Sequence, residues 1–400
     1  MKKLIVNKYS LIINLLLICL IVYFSQGPLL SIGSPIGQIS LVVIIIVSLF
    51  FMLRVITLKS KQPPFVWVWF FLILLNILGY LFTSNLEENS NFSQIKTILI
   101  ATLPFYPFYY LTRKSIIQRK HLIVLFLVML AVSILQFYYN KQNILSMRLS
   151  DREDVVNNIG YYFVMLVPYV FLFKRKILSL LSLFIILIFV IQSAKRGALI
   201  VALVGTTIFI YHQLFLQKST HFVRNFALSA IALISISLYL YNYFLSNDYL
   251  IARLELIDEG GSGRSTIYSN LLSSWYRSDD IINFIFGYGF RSSVRYSGTG
   301  NLAHNDWLEM LINFGLLGFL TYFLIFVSLI YSVFSKGTKS QNKVVILSIT
   351  LIWFLTSLFS MFYTTTISVF AIIVLAYLLG DNSSNKCLKQ GITTYEISKN

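Results

Sequence analysis

Apolar runs too long and too numerous for a water-soluble core dominate this chain. Residues 10–26, 38–53, 65–83, 95–112, 121–139, 159–173, 177–192, 197–216, 223–245, 307–334, 344–362 and 367–380 each read as a membrane span. About 20 mainly apolar helical residues cross a hydrocarbon layer of roughly 30 Å. Inside that layer no water satisfies the backbone, so spanning segments of this length must be helical. The composition agrees: 57% of residues are hydrophobic and only 12% charged, with a mean hydropathy of +0.76. The expected fold is an all-α integral membrane protein of about twelve transmembrane helices. Residues 1–245 hold the first nine spans and 307–380 the last three. Residues 246–306 form one large extracytoplasmic loop with short helices, and 381–400 a polar cytoplasmic tail expected to be disordered.

The net charge of +17 could suggest nucleic acid as a partner, but the placement of the charges excludes it. With the N-terminus inside, most of the 32 Lys and Arg fall in cytoplasmic connections, whereas only Asp381 and Glu396 of the 15 acids do. That is the positive-inside bias of a membrane protein rather than a basic binding face. The first apolar segment follows "MKK" like a signal peptide, but no small-residue cleavage site follows it, so it is expected to remain as an anchor. Cys19 lies in that segment and Cys387 in the tail, which leaves no structural disulfide.

Polar chemistry concentrates in the long connection between the ninth and tenth spans, and connections of that length are usually functional. Just before it, "QSAKRGALIVALVG" sets Lys195 and Arg196 in a short outer turn. Two readings compete there: a pair snorkelling to lipid headgroups, or a fixed cationic site for a phosphate at the membrane surface. Arg264, Arg277, Arg291 and Arg295 follow in the loop and could together neutralise a diphosphate. The glycine-rich "EGGSGRSTIYSN" lacks the G-K-[ST] ending of a nucleotide loop and faces away from cytoplasmic ATP. It is read instead as a turn into a short helix that presents Arg264. In "FGYGFRS" two glycines let the backbone approach a ligand or make a tight turn.

The stretch "GTGNLAHNDWLEMLINFGLLGF" carries His304, one of four histidines, directly before an apolar helix. Asp306 and Glu309 have the D-x-x-E spacing that caps a helix. Gly315 and Gly318 would share a face and admit a neighbouring helix. His304 sits before the cap, where an imidazole can exchange protons near neutral pH. Zinc is not expected: there is no H-E-x-x-H, and His121, His212 and His221 map to the inside. No G-x-S-x-G elbow occurs. Asp151, Glu153 and Asp154, in "RLSDREDVVNN", read either as a carboxylate set for a divalent ion or as solvated charge.

Three blocks resemble the O-antigen ligase and polysaccharide polymerase superfamily, membrane enzymes acting on lipid-linked glycans at the outer face of the bacterial inner membrane. "HNDWLEMLINFGLLGFLTYF", residues 304–323, is similar to the family's H-N-x-x-L stretch followed by a G-x-x-G helix. "SAKRGALIVALVG", residues 193–205, resembles the family's R-G-A motif that opens a helix. "GRSTIYSNLLSSWYRSDDIINFIFGYGF", residues 263–290, resembles its loop of an arginine, an aromatic and a later G-Y-G-F turn, with Tyr268 where the family often has Trp. The resemblance implies a GT-C-like, metal-independent glycosyltransferase without cofactors. Its partners would be an undecaprenyl-diphosphate-linked glycan donor and a glycan acceptor among membrane lipids, with a flippase and a chain-length regulator working beside it. Carried onto matching positions, it implies that His304 activates the acceptor hydroxyl while Arg196 and Arg264 hold the donor diphosphate. Arg291 joins them on charge grounds alone.

The implied reaction fits the residues. A sugar hydroxyl attacks the anomeric carbon and expels a lipid diphosphate, so negative charge gathers on the leaving group and fixed cations stabilise it. A neutral imidazole accepts the hydroxyl proton. Polymerase is expected over ligase-type transfer of finished polysaccharide, because no feature reads a second acceptor. The alternative of another class is a flippase, which would carry charges inside the bundle and often two similar halves.

Overall fold

The computed structural model describes residues 2–83, 88–146, 156–213, 238, 242, 263–278 and 280–397. Among the described residues, nine helices precede the large loop: α1 (Lys2–Phe24), α2 (Pro35–Ile56), α3 (Pro64–Phe82), α4 (Glu88–Thr102), α5 (Phe105–Arg113), α6 (Arg119–Ser146), α7 (Gly160–Val170), α8 (Lys176–Gln192) and α9 (Arg196–Tyr211). The loop contributes α10 (Arg264–Tyr276), α11 (Ile281–Phe286) and α12 (Ser292–Tyr296). After it come α13 (Asp306–Phe334), α14 (Ser340–Phe359), a 3-10 turn at Thr366–Ser368 and α15 (Val369–Ile397). Apart from an isolated bridge between Gln26 and Leu30, the described residues hold no extended pairing. Among the described residues, six helices are long and apolar enough to cross a membrane, and four shorter apolar ones accompany them. Apart from residues 238 and 242, the expected span 223–245 lies outside the described residues, as do the acids Asp151, Glu153 and Asp154 and loop residues 246–262.

Three expected elements take a different form. The apolar run 95–112 is two helices, because Pro104 follows the end of α4 and Pro107 removes a further backbone donor. The carbonyl of Thr102, released at that break, accepts the Trp69 indole N–H at 3.1 Å. Trp69 in turn meets Trp353 edge-on with ring centroids 5.3 Å apart, which ties α3, α4 and α14 together. The tail is the second case: α15 runs on to Ile397, although its polar composition predicts disorder. Extending a helix already nucleated in the apolar stretch costs far less than starting one.

The third difference shapes the site. The run 307–334 does not form one span, because α13 breaks at Gly315, whose φ of 61° and ψ of −154° are not helical. The two limbs fold back on each other. Tyr322 donates to Asp306 at 2.8 Å across 16 residues of sequence, a separation of about 24 Å in a straight helix. Trp307 stacks on Phe326 with ring centroids 5.2 Å apart. Residues 306–314 are therefore a short re-entrant limb, and 316–334, about 28 Å long at 1.5 Å per residue, is the spanning one.

Breaking a helix frees carbonyls, and the "GYG" segment satisfies them. Tyr288 and Gly289 donate their backbone N–H groups to the carbonyls of Ile312 and Asn313 at 2.9 and 3.1 Å. A Cβ on Gly287 would stand 2.5 Å from backbone atoms of Asn313, Phe314 and Gly315, and one on Gly315 equally close to the Ile285 carbonyl. The two glycines thus let backbone meet backbone within the protein, where the sequence left a ligand or a tight turn open.

Basic connections gather at one end of the bundle. Lys61 and Arg113 share a cavity with Thr338 and Asn382. Arg119 and Lys174 share another with Lys339 and Asp381, which pair at 2.7 Å. The turns at 193–195 and 360–365 lie with the re-entrant limb at the other end.

Candidate functional site

The site is assembled where α7 and α9 begin, α8 and α14 end, and the outer loop descends into the re-entrant limb. Its floor is the turn from α8 into α9. Ser193 closes α8 through a 2.6 Å bond to the Val190 carbonyl and receives the Lys195 N–H at 3.3 Å. Between them Ala194 is left-handed, with a φ of 52°, a conformation costing a residue with a side chain roughly 1–2 kcal/mol. Its carbonyl neighbour, that of Ser193, is held by the Asn157 N–H at 2.8 Å. The outcome is a fixed turn that delivers Lys195 and Arg196 at the very start of α9.

The N-cap residue of α9 is Lys195, whose side chain makes no capping bond, so the first N–H groups of the helix and the positive end of its dipole face the same region as the two cations. Gly197 explains the third letter of "KRG". A Cβ there would collide with the Tyr161 hydroxyl and come within 3.1 Å of Phe359 Cβ. The hydroxyl of Tyr161 is buried beside Ser360 and feels the Arg264 charge. Arg264 opens α10 behind the left-handed Gly263 and donates to the Phe359 carbonyl at 2.8 Å, capping the end of α14.

His304 enters this cluster from the loop. Its own φ of 52° is left-handed, a conformation in which histidine is several-fold enriched among non-glycine residues. Its side chain is exposed, yet the surrounding protein desolvates the ring in part. That desolvation first, and then the charges of Arg264 and Lys195, hold its pKa below the usual histidine value. At neutral pH the imidazole is uncharged and able to accept a proton.

The expected cap is not formed by Asp306 and Glu309. Asn305 does that work, accepting from the N–H groups of Trp307 and Leu308 at 3.0 and 3.2 Å. Both acids are buried instead. Asp306 Oδ2 accepts from Tyr322 at 2.8 Å and from the Phe362 N–H at 2.7 Å, and Trp353 donates to the Tyr322 hydroxyl at 2.8 Å. Glu309 accepts from Ser293 at 2.5 Å and from the Ala303 N–H at 2.6 Å. These carboxylates fasten the loop on either side of His304: Ala303 to the re-entrant limb, and the 360–365 turn to Asp306.

Of the four residues singled out in the sequence, Arg264 lies near enough to His304 for its charge to disfavour protonation of the imidazole. Arg196 is adjacent in sequence to Lys195, which faces His304, and to Gly197, which meets Tyr161. Arg291 stands apart. It lines a cavity of about 10 Å³ with Asn76, Gln94, Glu309 and Asn313, the size of a single water, and its charge acts on Glu309. Sequence reasoning had Lys195 only as the partner of Arg196 and missed Tyr161, which nothing marks among 25 tyrosines. Among the described residues, no group of three or more His, Cys, Asp or Glu could hold a metal ion.

Fold and site together define an all-α protein with membrane-crossing helices and a cationic cluster around one histidine at one end of its bundle. No family model matches the chain, and no curated protein matches it at a significant level.

Proposed function

We propose that the chain is a membrane glycosyltransferase that joins lipid-diphosphate-linked oligosaccharide repeat units into a polysaccharide. The observation that carries this reading is the meeting of a neutral imidazole, His304, with Arg264 and Lys195 at the uncapped start of α9. Acid–base and anion-binding groups in one place suit a reaction in which a hydroxyl loses a proton while a diphosphate leaves. His304 takes the proton of the acceptor hydroxyl as its oxygen bonds to the anomeric carbon. The bond from that carbon to the diphosphate oxygen breaks, and the electrons remain on the diphosphate. Lys195, Arg196, Arg264 and the first N–H groups of α9 stabilise that charge. Arg291 has a different task in this scheme, that of balancing the buried Glu309 which holds Ala303.

The donor would be a glycan on undecaprenyl diphosphate and the site would face outward from a bacterial plasma membrane, because the basic end of the bundle belongs inside. Polymerase and ligase share all of this chemistry. Purified protein given lipid-linked repeat units alone decides between them. A polymerase yields a ladder of products, whereas a strict ligase yields none until a second acceptor is added.

A further inference from the structure

The geometry points to a second anion site, at the basic end of the bundle, that takes a phosphate-bearing headgroup. It rests on a cavity of about 280 Å³ between the start of α3, the ends of α5 and α13 and the middle of α15, remote from the His304 cluster. One wall is a preset guanidinium fork. Arg113 donates through Nη1 to Gln62 Oε1 at 2.8 Å and through Nη2 to Ser60 Oγ at 2.7 Å. Tyr109 donates to the same Gln62 oxygen at 2.7 Å, and the Gln62 amide nitrogen is taken by the Ser60 carbonyl at 2.8 Å. Lys61, on the same wall, is exposed.

The opposite wall supplies an independent sign of a ligand. Asn382 is 7% exposed, and its Oδ1 accepts from Asn342 Nδ2 at 2.9 Å and from the Lys339 N–H at 3.3 Å. Those bonds fix the amide so that Nδ2 is left as a buried donor with no protein partner on the cavity wall. Buried donors are rarely left unpaired, and an acceptor brought from outside removes the penalty. No Asp or Glu is among the described residues that line the cavity. Asp381, the neighbour of Asn382, is held by Lys339 at 2.7 Å and by Asn342 at 3.1 Å. Two cations and an orphaned amide donor call for a negatively charged group rich in acceptors. Phosphate meets that need, and helix ends are the level at which lipid phosphates lie. The source is a membrane phospholipid or a soluble phosphate, and the chemistry at the protein is the same for both.

The test uses the full chain purified in detergent, with phosphatidylglycerol, phosphatidylcholine and inorganic phosphate as separate probes, and reads affinity by native mass spectrometry or thermophoresis. Asn382→Asp keeps the Oδ1 acceptor and turns the orphaned donor into an acidic oxygen. It is expected to weaken binding about tenfold or more, the scale of one charge-assisted contact. Lys61→Gln, at an exposed side chain, is expected to weaken it less and serves alone if the first variant does not fold. Phosphatidylglycerol bound in preference to phosphatidylcholine, and lost in the variants, identifies a lipid source. Inorganic phosphate bound and lost in the same way, without lipid selectivity, identifies a soluble one. Binding of no probe, equal binding of both lipids without phosphate binding, or variants that bind like the wild type would overturn the proposal.

Discussion

His304 owes its chemistry to two neighbours that come from distant parts of the chain. Arg264 opens a helix of the loop, and Lys195 ends a turn held by Ser193. Their charges add to desolvation in keeping the imidazole unprotonated, which sets the sign of a pH effect. Activity that needs the neutral base rises through the folded-state pKa and levels off above it. Since that pKa is lowered, the acid limb lies below pH ~6.5, the ordinary histidine value. Replacing Lys195 by Met removes one repelling charge, so the limb is expected to move toward higher pH. A rate profile from pH 5 to 8 checks this. A limb that stays in place or moves lower contradicts the placement of Lys195 beside His304. At this scale the sequence picked out His304 and Arg264, which the fold brings into one neighbourhood. It was silent where a function depends on an approach through space, as for Tyr161 above Gly197, and misleading where a local rule competes with burial. Asp306 and Glu309 have the spacing of a cap, but folding the limb back buries both and gives the cap to Asn305.

Among the elements, the hairpin within α13 matters most. Apolar periodicity runs unbroken through 307–334, so no pattern of side chains reveals a reversal. The reversal comes from the left-handed φ at Gly315 and from the carbonyls which Tyr288 and Gly289 accept the task of pairing. The G-x-x-G spacing was visible, but its meaning was not. Gly315 turns the chain, and Gly318 lets Met310 approach across the turn, since a Cβ there would collide with the Met310 carbonyl. Gly315→Ala adds a Cβ 2.5 Å from backbone atoms of Ile285 at a φ that alanine disfavours. The expected cost is at least about 3 kcal/mol, read as a lower melting temperature and a loss of the folded peak in size-exclusion chromatography. A variant as stable as the wild type would contradict the hairpin. The run 95–112, expected as one span, is instead divided where Pro104 follows the end of α4.

For the molecule as a whole, the sequence conveyed the all-α membrane class well because it is a sum over many residues. Apolar runs give helices, and the excess of Lys and Arg in alternate connections appears in the structure as one basic end. The orientation itself follows from the positive-inside rule and is open to direct measurement. On a background without Cys19 and Cys387, cysteine at exposed Asn301 is expected to react with a membrane-impermeant maleimide in intact cells. Cysteine at exposed Lys59 is expected to react only after the cells are opened. The reverse pattern would place the histidine cluster on the cytoplasmic side and exclude an outward-facing transferase.

The account stands or falls on His304 as the group that takes the acceptor proton. Purified His304→Ala, incubated with lipid-linked repeat units under conditions in which the wild type forms polymer, is the direct test, with donor binding measured on the same sample. Polymer formation is expected to fall at least about 10²-fold, the usual contribution of a positioned general base, while donor binding persists through Lys195, Arg196 and Arg264. A variant that polymerises at the wild-type rate would contradict it.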